Sequence, residues 1–290
     1  MIIIPMNRFI ITADTGSGTI HQKNVAHSMF LLQKKLRNIN SVLLLGDNIY
    51  PGGCHTIHDQ QFNTKFEDIY HKINLPFYLC LGNHDYGLSY HPSSKGVLRN
   101  NSMVQVEYAK ISEKWNMPAK YYHYTRGPCD FFMIDTNFDA LNESSIQKQL
   151  HEVQKMIQQS KKTWKILCGH HTFRSVGGHG NADPRFEKFM KDLITDCHID
   201  IYMCGHDHCK CIIETRVNDK PLTCLVIGTG GKEYEKIFSL KKIEQAPTPS
   251  ELLFYSPNLG TCLVEADQKH LKLICFNEDL VQEYSYSKSK

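Results

Sequence analysis

Short apolar runs alternate with polar stretches along this chain, and five of the runs stop abruptly at residues that carry chemistry. Ile10-Ile11 leads into Thr12-Ala13-Asp14, and Val42 to Gly46 into Asp47-Asn48-Ile49-Tyr50. Leu79 to Gly82 leads into Asn83-His84-Asp85, Ile166 to Gly169 into His170, and Ile201 to Gly205 into His206-Asp207-His208. Apolar runs of this length, each closed by a turn residue, predict buried strands. Strand-like segments are expected at 76–81, 120–125, 130–135, 164–169 and 200–204, three of which overlap runs just named. Between them lie helical patterns. Val25, Met29, Leu32 and Leu36 predict a helix over 22–38 with Thr19 as a nearby cap, and Phe62, Phe66, Ile69 and Tyr70 a second. Ile146, Leu150, Val153 and Ile157 mark a third, and Phe186, Phe189, Leu193 and Ile194 a fourth, opened by Pro184.

After residue 210 the pattern turns to short β-rich runs at 211–217, 222–228, 260–266 and 270–276, with turns at Asn218-Asp219 and Ala266-Asp267-Gln268. Gly230 to Pro257 is polar, is interrupted by Pro247 and Pro249, and reads as a long excursion over the surface. Alternating strands and helices predict an α/β fold. Open α/β sheets place their chemistry outside the carboxyl ends of the strands, so the five patches are expected to meet in space. What they bring together is Asp, Tyr, Asn and His, a set of metal-ligand side chains.

Composition narrows the function classes. At 290 residues the chain fits one continuous α/β core, and a single domain over residues 1–290 is expected. The charge of +3, from 33 basic and 30 acidic residues without a long basic block, gives no basis for nucleic-acid binding. Pro5, Asn7 and Arg8 interrupt the apolar start, so neither a signal peptide nor a membrane span is read there, and the sequence by itself points to the cytoplasm. Asn-x-Ser sequons fall at Asn100 and Asn142. The 11 cysteines are odd in number, and Cys80, Cys168, Cys204 and Cys224 lie inside strand-like runs, where a thiol behaves as a small hydrophobe. Cys209 and Cys211 form a thiol pair with no second pair to complete a zinc site.

A dinuclear hydrolase needs a bridging carboxylate, terminal ligands on either side and an open position for water. Asp47, central in order and directly after a strand, is the natural bridge. His206 and His208 alternate around one residue after Gly205, a spacing that lets two imidazoles address two neighbouring ions. Each patch alone also reads as an ordinary turn; the five together, each at a strand end, do not.

The order Asp14, Gly46-Asp47-x-x-Tyr50, Gly82-Asn83-His84-Asp85, Gly169-His170 and Gly205-His206-x-His208 resembles the calcineurin-type metallophosphoesterases, specifically the purple acid phosphatases of the small tartrate-resistant type. Two positions select that branch: Asp14-Thr15-Gly16 lacks the histidine that most other members carry there, and Tyr50 stands as the replacement ligand. The likeness continues through Phe66-Glu67-Asp68, Tyr108 to Ser112, Trp115-Asn116 and Cys204 to His208, and it weakens at 88–103 and 232–257.

The resemblance implies a four-layer α/β/β/α sandwich, with two mixed β-sheets flanked by helices. It places Asp14, Asp47, Tyr50 and His208 on one ion and Asp47, Asn83, His170 and His206 on the other. The first set is rich in anionic oxygen and suits a hard trivalent ion; the second suits a borderline divalent one. The implied cofactor is Fe(III) with Fe, Zn or Mn, and the implied reaction is attack of a metal-bound hydroxide on a phosphomonoester by a monomer, with neither membrane nor nucleic acid as partner. His84 and His179 match the histidines that bind phosphate and protonate the leaving group; His171 and His91 are given no catalytic role. Asp85 is expected to orient the histidines of the site, and Asp207 to do the same or cap a turn. Relatives of this type are secreted or lysosomal. The competing readings are a Mn- or Zn-dependent phosphodiesterase, nucleotide pyrophosphatase or protein phosphatase, and a non-enzymatic partner-binding protein on the same fold.

Overall fold

A computed structural model of the chain describes residues 6–87, 101–232 and 238–290; His91, Asn100 and most of the 88–103 insert lie outside the described residues. Among the described residues, two seven-stranded mixed sheets form the body. The first contains β1 (Asn7–Thr12), β2 (Ile39–Leu45), β3 (Phe77–Cys80), β4 (Trp115–Asn116), β12 (Gly260–Ala266), β13 (His270–Asn277) and β14 (Gln282–Ser289), in the order β14-β13-β12-β1-β2-β3-β4. The second contains β5 (Tyr122–Arg126), β6 (Cys129–Met133), β7 (Trp164–Cys168), β8 (Ile201–Cys204), β9 (Lys210–Val217), β10 (Lys220–Ile227) and β11 (Ser250–Ser256), in the order β11-β9-β10-β8-β7-β6-β5.

Alternation along the strands explains why there are four layers. In β10, Leu225 and Ile227 join the core between the sheets, whereas Cys224 and Val226 face the second core. That second core is closed by the helices Glu143–Gln159 and Pro184–Asp196 through Ile146, Val153, Phe186, Phe189 and Leu193. On the far side of the first sheet, the helix Ile20–Lys35 contributes Val25, Met29 and Leu32. Beside it runs a helical stretch with a π-helical turn at Asn63–Glu67, flanked by α-turns at Gln60–Phe62 and Asp68–Tyr70. Both sheet faces of the sandwich are therefore covered, as the expected α/β/β/α architecture requires.

Several local expectations change. Thr19 holds the N-cap position of the first helix, but its hydroxyl makes no cap bond and donates to the Gly231 carbonyl instead (3.4 Å). Leu36 has already left that helix and is extended. The stretch 230–257 is not a bare excursion: it contains a helical turn at Lys241–Glu244, and β11 pairs with β9 along the edge of the second sheet. All eleven cysteines are buried free thiols. Asn142 caps the helix Glu143–Gln159 by accepting the Ser145 N–H (2.8 Å), which gives that sequon a structural role. Among the described residues, no helix is long and apolar enough to cross a membrane.

Candidate metal centre

Strands β1, β2 and β3 run parallel, as do β7 and β8, so each group delivers the residues that follow it to one edge. Asp14, Asp47, Asn83, His170 and His206 each follow such a strand end within three residues, and the seven predicted side chains converge. The turns that aim them are costly. Asp14, Asp47 and His206 have φ of 56°, 52° and 70°, a left-handed backbone that a side chain bearing Cβ adopts at a cost. Two glycines show how close the approach is. A Cβ on Gly82 would lie 2.1 Å from Asp47 Oδ1, and one on Gly205 2.3 Å from Asp14 Oδ2.

The side chains fall into two groups that meet near Asp47. In the first, the Tyr50 hydroxyl donates to Asp14 Oδ1 (2.9 Å) and stands 3.3 Å from His208 Nε2, which is 3.2 Å from Asp14 Oδ1. In the second, His170 Nε2 is 3.1 Å from Asn83 Oδ1 and 3.2 Å from His206 Nδ1. Asp47 Oδ1 is 3.5 Å from His170 Nε2, and Asp14, Asp47 and His170 have ligand atoms within 4.8 Å of one another. All three are buried, Tyr50 beside them is only 5% exposed, and a buried pool of oxygen donors of this kind calls for a cation.

The electrostatics follow the geometry. Burial would raise Asp47, but His170 and then His84 outweigh it and hold the carboxyl well below its ordinary range. Burial works against His170 too, yet Asp47 pushes it up to about 9. Burial, reinforced by Asp14 and Asp47, drives the Tyr50 phenol far above its usual range; a cation among the same oxygens reverses that field. Tautomers are set from outside the cluster. His170 Nδ1–H donates to the Leu45 carbonyl (2.9 Å) and leaves Nε2 facing inward. His84 Nδ1–H donates to the Pro51 carbonyl (2.6 Å), with Nε2 3.9 Å from Asp47 Oδ2.

His84 and His179 flank opposite ends of the cluster. The His84 ring lies 4.4 Å from that of Tyr50, and the His179 ring stacks on His206 at 3.8 Å. His171 also borders the site, with its ring 4.5 Å from that of His206 and Nδ1 bonded to Thr136 Oγ1 (2.8 Å); burial, then His170, lowers it to about 3.

Asp85 acts otherwise than expected. Among the described residues it accepts no bond from a histidine; it accepts the backbone N–H groups of Asn48 (3.0 Å), Ile49 (3.1 Å) and Gly82 (2.8 Å), together with Gln105 Nε2 (2.7 Å). It ties the Asp47 and Asn83 loops to each other. Asp207 takes the loop-binding alternative, accepting the N–H groups of His179 (2.6 Å) and Gly180 (3.2 Å). Lys232, which the sequence pattern did not mark, places its ammonium 5.4 Å over the Tyr50 ring.

Comparison with known proteins bears on this arrangement. The chain is similar to purple acid phosphatase 4 of Arabidopsis thaliana, 27% identical over 279 residues that cover 93% of this chain and 79% of the relative. It is similar to tartrate-resistant acid phosphatase type 5 of Homo sapiens, 27% identical over 232 residues, 70% of this chain and 67% of the relative. In fold it matches the anchor protein of the Plasmodium inner membrane complex with a TM-score of 0.77 at 20% identity, covering 98% of this chain and 89% of that one. The family profile described as calcineurin-like phosphoesterase matches residues 7–210, from the first strand through the last of the convergent histidines. The chain therefore belongs to the calcineurin-like phosphoesterases.

Proposed function

We propose that this protein is an acid phosphatase that hydrolyses phosphate monoesters at a dinuclear Fe(III)-M(II) centre, with M being Fe, Zn or Mn, in one catalytic domain that works as a monomer. The observation that carries the reading is the sorting of the buried donors into an oxygen-rich group (Asp14, Tyr50, His208) and an imidazole-amide group (Asn83, His170, His206), joined at Asp47. Donor hardness suits a trivalent ion on one side and a divalent ion on the other. Kinship with purple and tartrate-resistant acid phosphatases supports the same choice.

Bound ions would supply Lewis acidity and an activated water. The rest falls to the chain. The His84 N–H donates to Asp47 Oδ1 (2.9 Å), which fixes the bridging carboxylate, and His84 Nε2 is the ring nitrogen left to meet a phosphate oxygen. His179, whose ring stacks on that of His206, is the residue we assign to give the leaving alkoxide its proton. Likeness of fold to an anchor protein does not decide activity, and a buried donor set with strained backbone favours the hydrolase over a pure binding role.

Metal analysis of the purified protein, paired with turnover of p-nitrophenyl phosphate and of bis(p-nitrophenyl) phosphate at acidic pH, tests this reading. Iron together with a second metal, preference for the monoester, and loss of turnover in Asp47→Asn are expected. An iron-free preparation with full activity, or an Asp47→Asn variant that keeps most of the wild-type rate, removes it.

A further inference from the structure

The loop 176–181, which carries His179, is gripped from two sides by opposite charges. On one side the Asp207 carboxylate accepts the N–H groups of His179 (2.6 Å) and Gly180 (3.2 Å) and the hydroxyl of Ser175. On the other side the Lys242 ammonium donates to the carbonyls of Gly177 and Gly178, the latter at 2.5 Å. The peptide unit joining Gly178 to His179 is therefore held at both ends, its oxygen by a cation and its N–H by an anion. Two consecutive carbonyls aimed at one point repel each other unless a positive charge sits there, and two consecutive N–H groups likewise form a seat for an anion.

Lys242 is itself anchored. Its carbonyl accepts from Asn181 Nδ2 (2.6 Å), and Ser239 N–H, three residues earlier, donates to the Val176 carbonyl (2.9 Å). The neighbouring Ile243 is buried in the second core. The lysine stem also fills the space over Gly180, where an added Cβ would lie 2.8 Å from Lys242 Cδ. The lysine thus comes from a segment beyond residues 7–210, the stretch that the family profile matches.

We propose that Lys242 is a positioning residue: with Asp207 opposite, it fixes the Gly178-His179 peptide and thereby the seat of the His179 ring over His206, so that the proton reaches the leaving group. This inference rests on the phosphatase reading and on His179 serving the leaving group. Its signature is a dependence on leaving-group basicity. A departing alkoxide needs the proton far more than p-nitrophenolate does.

The test measures kcat and KM of the metal-loaded enzyme on an alkyl phosphate and on p-nitrophenyl phosphate, for Lys242→Met, Lys242→Arg, His179→Ala and the double variant His179→Ala/Lys242→Met. Lys242→Met keeps the stem and removes only the ammonium. It is expected to lower kcat on the alkyl phosphate about tenfold, with a much smaller loss on p-nitrophenyl phosphate and unchanged metal content. Lys242→Arg should recover most of that loss, and Lys242→Met should cost nothing more once His179 is gone. If His179→Ala is impaired but Lys242→Met matches wild type, or if the two losses multiply in the double variant, the positioning role is overturned while the phosphatase reading stands. If His179→Ala is itself silent on both substrates, the role of His179 falls and the Lys242 inference falls with it.

Discussion

Tyr50 carries the clearest spectroscopic consequence of the site. Its hydroxyl stands 2.9 Å from Asp14 Oδ1 and 3.3 Å from His208 Nε2, in the oxygen-rich group that suits a trivalent ion. A phenolate on Fe(III) absorbs visible light by charge transfer, so under the proposed Fe(III) assignment the purified protein should be violet to pink and Tyr50→Phe colourless; colour retained in that variant rules out a Tyr50 phenolate. The seven convergent residues were legible because each stands at or just past a strand end, where chain order already reports position. Roles played through the backbone were not legible. Asp85 follows His84 directly, and that adjacency suggested an imidazole partner, yet its oxygens turn to the amides of Asn48, Ile49 and Gly82. Lys242 was hidden for another reason: the carbonyls it binds are more than sixty positions away, and no periodicity connects them.

At the level of elements, capping gives a stability prediction separate from the chemistry. The helix Pro184–Asp196 starts at Asp183, whose Oδ1 accepts from the N–H groups of Arg185 (2.7 Å) and Phe186 (3.1 Å). Asp183→Ala should cost about 1 kcal/mol of stability in urea unfolding and lower kcat far less than His179→Ala does, because the helix packs into the second core. Elements with a clean apolar period were read from the chain to within a few residues. Those missed have separate physical causes. In β14 the sequence Gln282–Ser289 offers only Tyr284 and Tyr286 as large side chains, since an edge strand buries little. In β11 the pairing shifts register between Leu252 and Phe254, and the run Leu252 to Tyr255 shows no alternation. Nearby prolines at 247 and 249 then made the segment look like a loop. The two-residue β4 is too short for any period to register.

For the whole molecule, an ion pair between Lys210 and Glu283 bridges the two sheets. Lys210, at the start of β9 and fully buried, places its ammonium 2.8 Å from Glu283 Oε2 on β14 and donates to the carbonyls of Asn258 (2.7 Å) and Phe276 (3.1 Å). Burial alone would raise Glu283, but the bonds from Lys210, Ser256 and Asn258 outweigh it and hold the carboxyl below its ordinary 4.5. A carboxyl lowered on folding contributes stability that is complete above its unfolded pKa and is lost as pH falls through the lower folded value. Between roughly pH 5 and pH 3 the melting temperature of the wild type should therefore fall more steeply than that of Glu283→Gln, and parallel curves would contradict the assignment.

The place of β1 carries this long-range wiring into the making of the protein. It lies inside the first sheet, with β2 on one side and β12 on the other, where Ile10 pairs with Leu263 from the opposite end of the chain. During synthesis from the N-terminus, β1 keeps one open edge until residues 260–266 leave the ribosome, so the strand that aims Asp14 is among the first made and among the last enclosed. A chain that lacks β12 therefore leaves β1, the strand that leads into Asp14, unpaired along one edge.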